Sequence, residues 1–307
     1  MKLLPVAIFA SKNLLPKNSP RSAFQLRKIS AASKIENDST DSDKFSQLAN
    51  RASNKKVEKI MVKVNLKDGT SKNLLMNKDI STPFHCALHI SKGLADSSAL
   101  CIVRNEGGSE EISPMRLPLS SECSIEFVSL QSKEYAEEVN QAYWRSCSVL
   151  LGSLLSSSFS SPLQPIGSVQ TKYSDGYFGY DVKGKNLEGW NPSPSDFSSL
   201  VLSMHSKMIE KNLPFDTLLI DEHDAAVFPL GQRYTSESLS MLCRIGDHVE
   251  SIDGPVISHA GQIGRFAILK ASSKSNGIWR FSGVSLPSSQ SISSHNWQII
   301  TDYARKV

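Results

Sequence analysis

Two alternating segments on either side of a short turn signal constrain the fold more than any other feature of the chain. In "EKIMVKVNLKDGTSKNLLM" (residues 58–76), apolar and polar residues alternate around Lys67, Asp68 and Gly69. A period of two places every second side chain on the same face of a strand, and an Asp-Gly pair favours a tight reversal. The segment therefore predicts a β-hairpin with one apolar face that needs a packing partner.

The residues after the hairpin supply that partner. In "STPFHCALHISKGLA" (residues 81–95), Ser81 or Thr82 fits a helix N-cap, Pro83 fits the first helical position and Gly93 predicts the helix end. Two apolar segments, "SALCIVRN" and "CSIEFVSL", then predict strands. A hairpin, a helix and further strands within residues 57–131 indicate a small β-grasp domain, so the predicted fold class is α+β.

A long amphipathic helix over residues 134–156 predicts the start of a second α+β unit, which we assign to residues 132–290. The apolar residues of this helix recur with a 3.6-residue period and are Tyr135, Val139, Ala142, Tyr143, Cys147, Leu150, Leu151 and Leu154. Residues 291–307 are expected to form a helical tail. Residues 36–56 are polar and predict a linker, with a short helix within residues 43–53.

The first thirty-five residues account for the net positive charge of the chain. They contain seven Lys or Arg residues and no acidic residue, which favours a mitochondrial transit peptide at residues 1–35 over a secretory signal. The rest of the chain has 27 basic and 30 acidic residues, a formal charge of −3. This balance excludes the dense positive field of a protein that wraps a nucleic acid over its whole surface, but it allows local basic patches.

Several segments together resemble the N-terminal half of threonyl-tRNA synthetase. They are "HISKGLADSSALCIVRN" in the first unit and, in the second, "SDGYFGYDV", the pair Gly254-Pro255 and "WRFSGVSLP". The resemblance covers roughly residues 57 to 287. It implies a TGS-like β-grasp domain followed by a domain similar to the second additional domain of that family, which edits mischarged tRNA.

The editing family carries His-x-x-x-His on the opening helix and Cys-x-x-x-His around the Gly-Pro pair. Matched residue by residue, these positions hold Arg145, Val149, Ile252 and Val256 in this chain. A protonated guanidinium has no lone pair for a metal, and Val and Ile have no donor atom. None of the four can transfer a proton at neutral pH. The site is therefore predicted to contain no catalytic residue, metal ligand or cofactor.

The same resemblance predicts how the former cleft is filled. Asp253 lies between the positions of Ile252 and Val256, so we expect an ion pair between Arg145 and Asp253, with Val149 and Val256 packed beside it as a structural plug. Complete burial of an apolar side chain contributes about 1.5–3 kcal/mol, whereas an exposed ion pair contributes about 0–1 kcal/mol. The apolar pair is thus expected to contribute most of the stability.

Three further segments, "AYWRSC", "CRIGDH" and "RFSGVSLP", resemble the mitochondrial large-subunit ribosomal protein family that is related to threonyl-tRNA synthetase. This resemblance implies a non-enzymatic constituent of the mitochondrial ribosome in the matrix. The implied partners are large-subunit ribosomal proteins and, through limited backbone contacts, rRNA; no membrane span and no small-molecule substrate are expected. Two alternatives are a free-standing tRNA-editing deacylase and a non-catalytic tRNA-binding module.

Other reactive residues are better explained by structure than by chemistry. His85 and His89 are four apart on the predicted helix but lack a local third ligand, which favours an ordinary helix face over a metal site. Cys147, Ser146 and Ser148 have no supporting acid-base motif, which favours packing over a nucleophilic role. The five cysteines form no CxxC pair, as expected of reduced thiols.

Small basic segments occur at residues 183–185, 231–234 and 269–274. None has the spacing of a phosphate-binding loop. Solvated surface is the favoured interpretation, and contact with rRNA phosphates is the alternative.

Overall fold

A computed structural model describes residues 40–53, 56–105, 107–169, 175–225, 228 and 239–306. The predicted transit peptide and the basic segment 231–234 lie outside these residues. The helices are α1 (Asp41–Ser53), α2 (Pro83–Ile90), α3 (Lys92–Ser97), α4 (Ala136–Ser158), α5 (Pro194–Met204), α6 (Glu222–Ala225) and α7 (Ser294–Ala304). The strands are β1 (Lys59–Asn65), β2 (Ser71–Asn77), β3 (Ser98–Asn105), β4 (Glu110–Pro114), β5 (Cys123–Ser129), β6 (Gln164–Ser168), β7 (Phe178–Lys183), β8 (Asp216–Asp221), β9 (Leu239–Ile245), β10 (His248–Ile252), β11 (Ile263–Ser273) and β12 (Ile278–Pro287).

The first unit is a five-stranded sheet packed on two short helices. The strand order is β2-β1-β5-β3-β4, with β1 and β2 antiparallel and β1 and β5 parallel. Gly69 closes the predicted hairpin at φ +82°, a left-handed conformation that favours glycine. On one face of β1, Val62 and Val64 are buried in a cluster with Cys86 and Ala87 of α2. This is a β-grasp topology, and the predicted α+β class is confirmed.

The helix of this unit begins as expected but ends earlier. Thr82 caps α2: its hydroxyl accepts from the backbone N–H of His85, and Nδ1 of His85 accepts from the backbone N–H of Thr82 at 3.1 Å. The prediction that Gly93 ends the helix was wrong. Ser91 adopts an extended conformation and its hydroxyl accepts from the N–H of Leu94 at 3.1 Å, which starts α3. Gly93 lies inside that second helix.

The second unit is organised around α4, which contacts strands of two sheets. One sheet has the order β11-β12-β7-β6 and the other β10-β9-β8. The middle of α4 is fully enclosed, with Val149, Leu150 and Leu151 all at 0% exposure. The helix contacts β6 and β7 on one sheet and β9 and β10 on the other. It therefore forms the centre of the core.

The two units share one apolar core. Leu100 and Ile102 of β3 and Val128 of β5 point away from α2, and they belong to the same buried cluster as Val139 and Tyr143 of α4. Both faces of this part of the β-grasp sheet are thus covered, one by its own helices and one by the second unit.

Polar contacts fix the same junction. Nε2 of Gln262 donates to the backbone carbonyls of Asp96 at 3.2 Å and Ser98 at 2.9 Å. Nε of Arg116 donates to the carbonyl of Ser258 at 3.0 Å. Because each bond satisfies a backbone acceptor of the opposite unit, sliding of one unit over the other would leave partly buried polar groups unpaired.

Helix α1 corrects the interpretation of residues 36–56 as a linker. The short helix expected there is present, but it is also docked: Phe45 is 2% exposed and packs with Ile220 and Leu242. The guanidinium of Arg244 lies 4.5 Å from the Phe45 ring centroid, and its Nη1 donates to Oγ of Ser46 at 2.7 Å. A single buried aromatic ring thus anchors an otherwise polar segment.

The C-terminal segment carries α7, in agreement with the expected helical tail. Thr301 of this helix is buried, and α7 contacts β11 and β12. Within the described residues, no helix has both the length and the apolar character needed to cross a bilayer.

Candidate functional site

The candidate site is the junction between α4 and the segment that contains Gly254 and Pro255. The structure brings Arg145 and Asp253 together, as predicted: Nε of Arg145 donates to Oδ1 of Asp253 at 2.6 Å. Nη1 of Arg145 also donates to the carbonyl oxygen of Pro255 at 2.7 Å. A Cβ at Gly254 would lie 3.0 Å from Nη2, so the guanidinium fits closely against this glycine.

Ser146, the residue after Arg145 on α4, also bonds to the segment that follows Pro255. Its hydroxyl donates to the carbonyl of Ala142 at 2.7 Å and accepts from the backbone N–H of Ile257 at 2.9 Å. Ser146 was considered as a nucleophile from the sequence, but it is fully buried and its hydroxyl links α4 to this segment. No pattern in the sequence indicated this contact.

The three apolar residues at the matched positions lie in the core. Val149 and Val256 are at 0% exposure and Ile252 is at 4%. All three belong to the large buried cluster that surrounds α4. Their side chains offer no lone pair, and the fourth position, Arg145, carries a protonated group with no acceptor atom. The residues present do not fit a metal or a hydrolytic water.

A buried polar cluster behind the C-terminal half of α4 was missed by the sequence interpretation. Oη of Tyr180 donates to Oε2 of Glu250 at 2.5 Å, and Nε2 of His248 lies 3.1 Å from the same oxygen. Oγ of Ser168 donates to Oε1 of Glu250 at 2.9 Å. Burial and the neighbouring Glu250 carboxylate raise the pKa of Tyr180 well above its ordinary value, so the phenol stays protonated and donates.

This cluster links two sheets, since Tyr180 belongs to β7 and His248 and Glu250 belong to β10. His248 and Glu250 are two residues apart on one strand and therefore point to the same face. That spacing was the available signal, but the strand that would bring Tyr180 to them could not be identified from the sequence. The bonds satisfy both carboxylate oxygens, which makes the cluster a closed network across the core.

Cys147 is built for packing and not for nucleophilic chemistry. It is fully buried, and burial raises the pKa of its thiol to about 12. A thiol with that pKa is almost entirely protonated at neutral pH, whereas the thiolate is the reactive form. Ser148, considered beside it, is 2% exposed.

His85 and His89 do not form a shared site with a third ligand in the described part of the chain. Nδ1 of His85 is engaged in the N-terminal cap of α2, which explains why a histidine lies at this position. The basic residues Lys183, Lys185, Lys270 and Lys274 are exposed.

Two groups of proteins are similar to this chain in sequence. No protein-family model matches the chain. The chain is similar to cytoplasmic threonine–tRNA ligases: it is 26% identical to a probable ligase of Dictyostelium discoideum over 242 residues, which are 74% of this chain and 31% of that protein. With the human ligase it shares 27% identity over 223 residues, 69% of this chain and 28% of that protein. The chain thus spans less than a third of these ligases.

A second similarity extends over most of both proteins. The chain is 27% identical to the large ribosomal subunit protein mL39 of Drosophila melanogaster over 250 residues, 76% of this chain and 73% of that protein. The resemblance to both groups that the sequence motifs predicted is therefore confirmed at the level of overall sequence similarity.

Proposed function

We propose that the chain is a structural constituent of the mitochondrial large ribosomal subunit and acts without catalysis. The similarity to mL39 supports this assignment and a location in the mitochondrial ribosome, because it extends over about three quarters of each protein. The observation that carries the non-catalytic role is the Arg145 guanidinium, which bonds to Asp253 and to the Pro255 carbonyl where the editing family has a metal-binding histidine.

The plug follows from the same geometry. The ion pair closes the solvent side of the junction, since the Arg145 side chain is 16% exposed and that of Asp253 is 32% exposed. The buried Val149 and Val256 fill its interior side. A site filled in this way offers no group that could position or hydrolyse the ester bond of an aminoacylated tRNA. The fold of the editing domain then serves as a scaffold for contacts on its outer surface.

The proposed organisation is a transit peptide at residues 1–35, a TGS-like domain at 57–131, an editing-like domain at 132–290 and a helical tail at 291–307. Helix α1, within the intervening segment 36–56, packs on the editing-like domain through Phe45. The partners are neighbouring large-subunit ribosomal proteins and limited stretches of rRNA backbone. No cofactor and no small-molecule substrate take part.

Sedimentation tests the proposal. The full chain with a C-terminal tag is expressed in cells, and mitochondrial lysate is separated on a sucrose gradient at high salt, which removes loosely bound proteins. We expect the chain to co-sediment with the large subunit and to remain there after puromycin treatment. Recovery only in the light fractions, as a free protein, would contradict the assignment.

A free-standing deacylase is the alternative that the threonine–tRNA ligase similarity favours. Purified chain incubated with Ser-tRNA should release serine no faster than buffer does. Hydrolysis that disappears in Tyr180→Phe or Glu250→Gln, which alter the buried hydrogen-bonded cluster beside α4, would establish the enzyme. Tight binding to isolated deacylated tRNA without hydrolysis would instead support a tRNA-binding module.

A further inference from the structure

Two basic segments that are far apart in the sequence meet at one end of the four-stranded sheet. Lys183 ends β7 and is the register partner of Ile278 in β12. Lys274 begins the turn between β11 and β12, and its backbone N–H donates to the carbonyl of Ile278 at 2.7 Å. A Cβ at Gly277, in the same turn, would lie 3.8 Å from Cε of Lys183. The turn therefore places Lys183 and Lys274 at the same end of the sheet.

Lys270 and Arg280 continue this surface along the strands. Lys270 pairs with Ser282, and Arg280 pairs with Ser272 on one side and Asp181 on the other. We call the surface formed by Lys183, Lys270, Lys274 and Arg280 the lysine face. Lys270, Ser272 and Lys274 follow one another at every second position of the chain, a spacing of about 6.6 Å between residues on one face of a strand.

The charges of the lysine face are unevenly compensated. Arg280 forms a bidentate pair with Asp181, with both N···O distances at 2.8 Å. Among the described residues, no carboxylate lies within ion-pair distance of Lys183, Lys270 or Lys274. These three ammonium groups are exposed and available to an anionic partner. They give a local positive surface to a chain whose body carries a slight negative charge.

The lysine face includes a small cleft. A shallow cleft of about 120 Å³ is lined by Lys270, Lys274 and Arg280 together with Tyr177 and Ser282. The opposite face of the same strands is anchored in the core by residues such as Phe281, which is fully buried. The strands are therefore held rigidly, and the cations project from a pre-formed platform.

We propose that the lysine face binds the phosphate backbone of RNA. Lysines bind phosphates as point charges and need no fixed spacing, so three lysines on one face of the sheet with hydroxyl groups between them are sufficient. An acidic protein partner is disfavoured because the core of a protein interface is apolar. Of the eight large apolar side chains that are exposed in the described residues, none belongs to β7, β11 or β12. Two of the eight, Ile299 and Tyr303, belong to α7, whose Ala304 borders the cleft.

This inference rests on the proposed function and deepens it by naming the surface that contacts rRNA. The test uses the purified full chain and a fluorescein-labelled RNA hairpin with a mixed-sequence duplex stem. Affinity is measured by fluorescence anisotropy over a range of KCl concentrations. The variant carries Lys183→Glu, Lys270→Glu and Lys274→Glu.

The matched control places the same change of charge on the first unit. Lys59→Glu, Lys63→Glu and Lys72→Glu also reverse three exposed lysines, on the strands β1 and β2. Circular dichroism and urea unfolding of both triple variants verify that each one is folded. The control separates a local contact from the effect of total charge.

We expect the lysine-face variant to bind the RNA at least about tenfold more weakly than the control, because loss of phosphate contacts reduces counterion release. The slope of log affinity against log salt should become shallower by about 2 to 3, since each phosphate contact contributes about 0.9. Equal losses in both triple variants, or no loss in either, would overturn the inference. So would tighter binding of poly-L-glutamate than of RNA, abolished by the same variant, since the partner would then be an acidic polypeptide.

Sedimentation of the same proteins separates the two proposals. If the unmodified chain co-sediments with the large subunit but the lysine-face variant keeps full RNA affinity, only the assignment of this surface fails. If the unmodified chain does not co-sediment at all, the ribosomal function itself fails.

Discussion

Gly254 leaves the space that the guanidinium of Arg145 occupies, since a Cβ at position 254 would lie 3.0 Å from Nη2 and 3.1 Å from Cζ of Arg145. The absence of a side chain at 254 lets one guanidinium reach both the Asp253 carboxylate and the Pro255 carbonyl. Gly254 belongs to the Gly-Pro pair through which the chain resembles the editing family, and here this glycine makes room for an arginine.

This contact predicts a measurable coupling between Arg145 and Asp253. Arg145→Met keeps most of the aliphatic volume but removes both hydrogen bonds, so it should lower the free energy of unfolding by about 1–3 kcal/mol. Asp253→Asn should cost less, because the Asp253 side chain is one-third exposed and partly screened by water.

Urea unfolding of the two single variants and the double variant provides a double-mutant cycle. We expect a favourable coupling energy of about 0.5–2 kcal/mol, and the double variant should be less destabilised than the sum of the single variants. A coupling energy of zero within error would mean that the two residues are only neighbours and do not form a plug.

The contact between Arg145 and Asp253 could be predicted from the sequence, but the neighbouring bond between Ser146 and Ile257 could not. Arg145 and Val149 are four apart on a strongly periodic helix, and Asp253 precedes the Gly-Pro pair, so family resemblance alone was enough to place Arg145 beside Asp253. The bond between Ser146 and Ile257 could not be predicted in the same way. It depends on the path of the backbone after Pro255, which no local pattern determines.

At two other places the structure differs from the sequence-based prediction, for physical reasons that a single sequence does not reveal. Gly93 was expected to end α2, but Ser91 ends it by adopting an extended conformation and capping α3. Helix propensity is a weak preference that such local hydrogen bonds override. Helix α1 is polar except for a few residues, so its docking depends on Phe45 meeting a pocket formed by β8, β9 and α6.

Replacement of Gly152 by alanine should destabilise the fold, because the buried cluster packs against α4 at this position. A Cβ at this position would lie 2.5 Å from the Tyr180 ring, and that ring is fully buried and bonded to Glu250. We expect Gly152→Ala to lower the free energy of unfolding by about 1–3 kcal/mol through overpacking, despite the better helix propensity of alanine.

Gly93→Ala is the matched control, since Gly93 is also helical and a Cβ there meets nothing within 4 Å. This variant should be neutral or more stable by about 0.5–1 kcal/mol. Thermal and urea unfolding of both variants gives the comparison. Equal stability of the two alanine variants would show that Tyr180 can move without cost.

Phe45 should hold α1 on the second unit. Its ring packs against Ile220 and Leu242 beneath the Arg244 guanidinium, so Phe45→Ala removes the main apolar anchor of a thirteen-residue helix. Because short isolated helices are marginal in water, α1 should detach and unfold locally while the remainder stays folded.

Limited trypsin digestion measures this release, with cleavage after Arg51 as the readout. We expect cleavage at least about tenfold faster in Phe45→Ala, since local opening governs proteolysis. Gln47→Ala, at an exposed position of the same helix, should leave the rate nearly unchanged. If both variants are cleaved at the rate of the unmodified chain, α1 is held by other contacts.

His259 should make the junction between the two units sensitive to acid. It is 5% exposed, its Nε2 donates to the Asp96 carbonyl at 3.2 Å, and its Nδ1 has no hydrogen-bond partner in the described residues. Burial lowers the pKa of His259 below its ordinary value, although the Asp96 carbonyl opposes the shift, and the Arg116 cation lowers it further.

The direction of the pH dependence follows from this lowered pKa. An unfolded histidine titrates at about pH 6.5, so below that pH the unfolded chain binds a proton that the folded chain resists. The stability contributed by the neutral ring is complete above about pH 6.5 and is lost as the pH falls towards the pKa of the folded state. Urea midpoints measured at about pH 7.5 and about pH 5.5 should therefore decrease on acidification.

The control variant is His259→Gln, which keeps a donor for the Asp96 carbonyl but cannot titrate. Its urea midpoint should decrease less on acidification, and titration of the other histidines cancels in the comparison. An identical decrease in the two proteins would mean that His259 is protonated as easily in the folded chain as in the unfolded one.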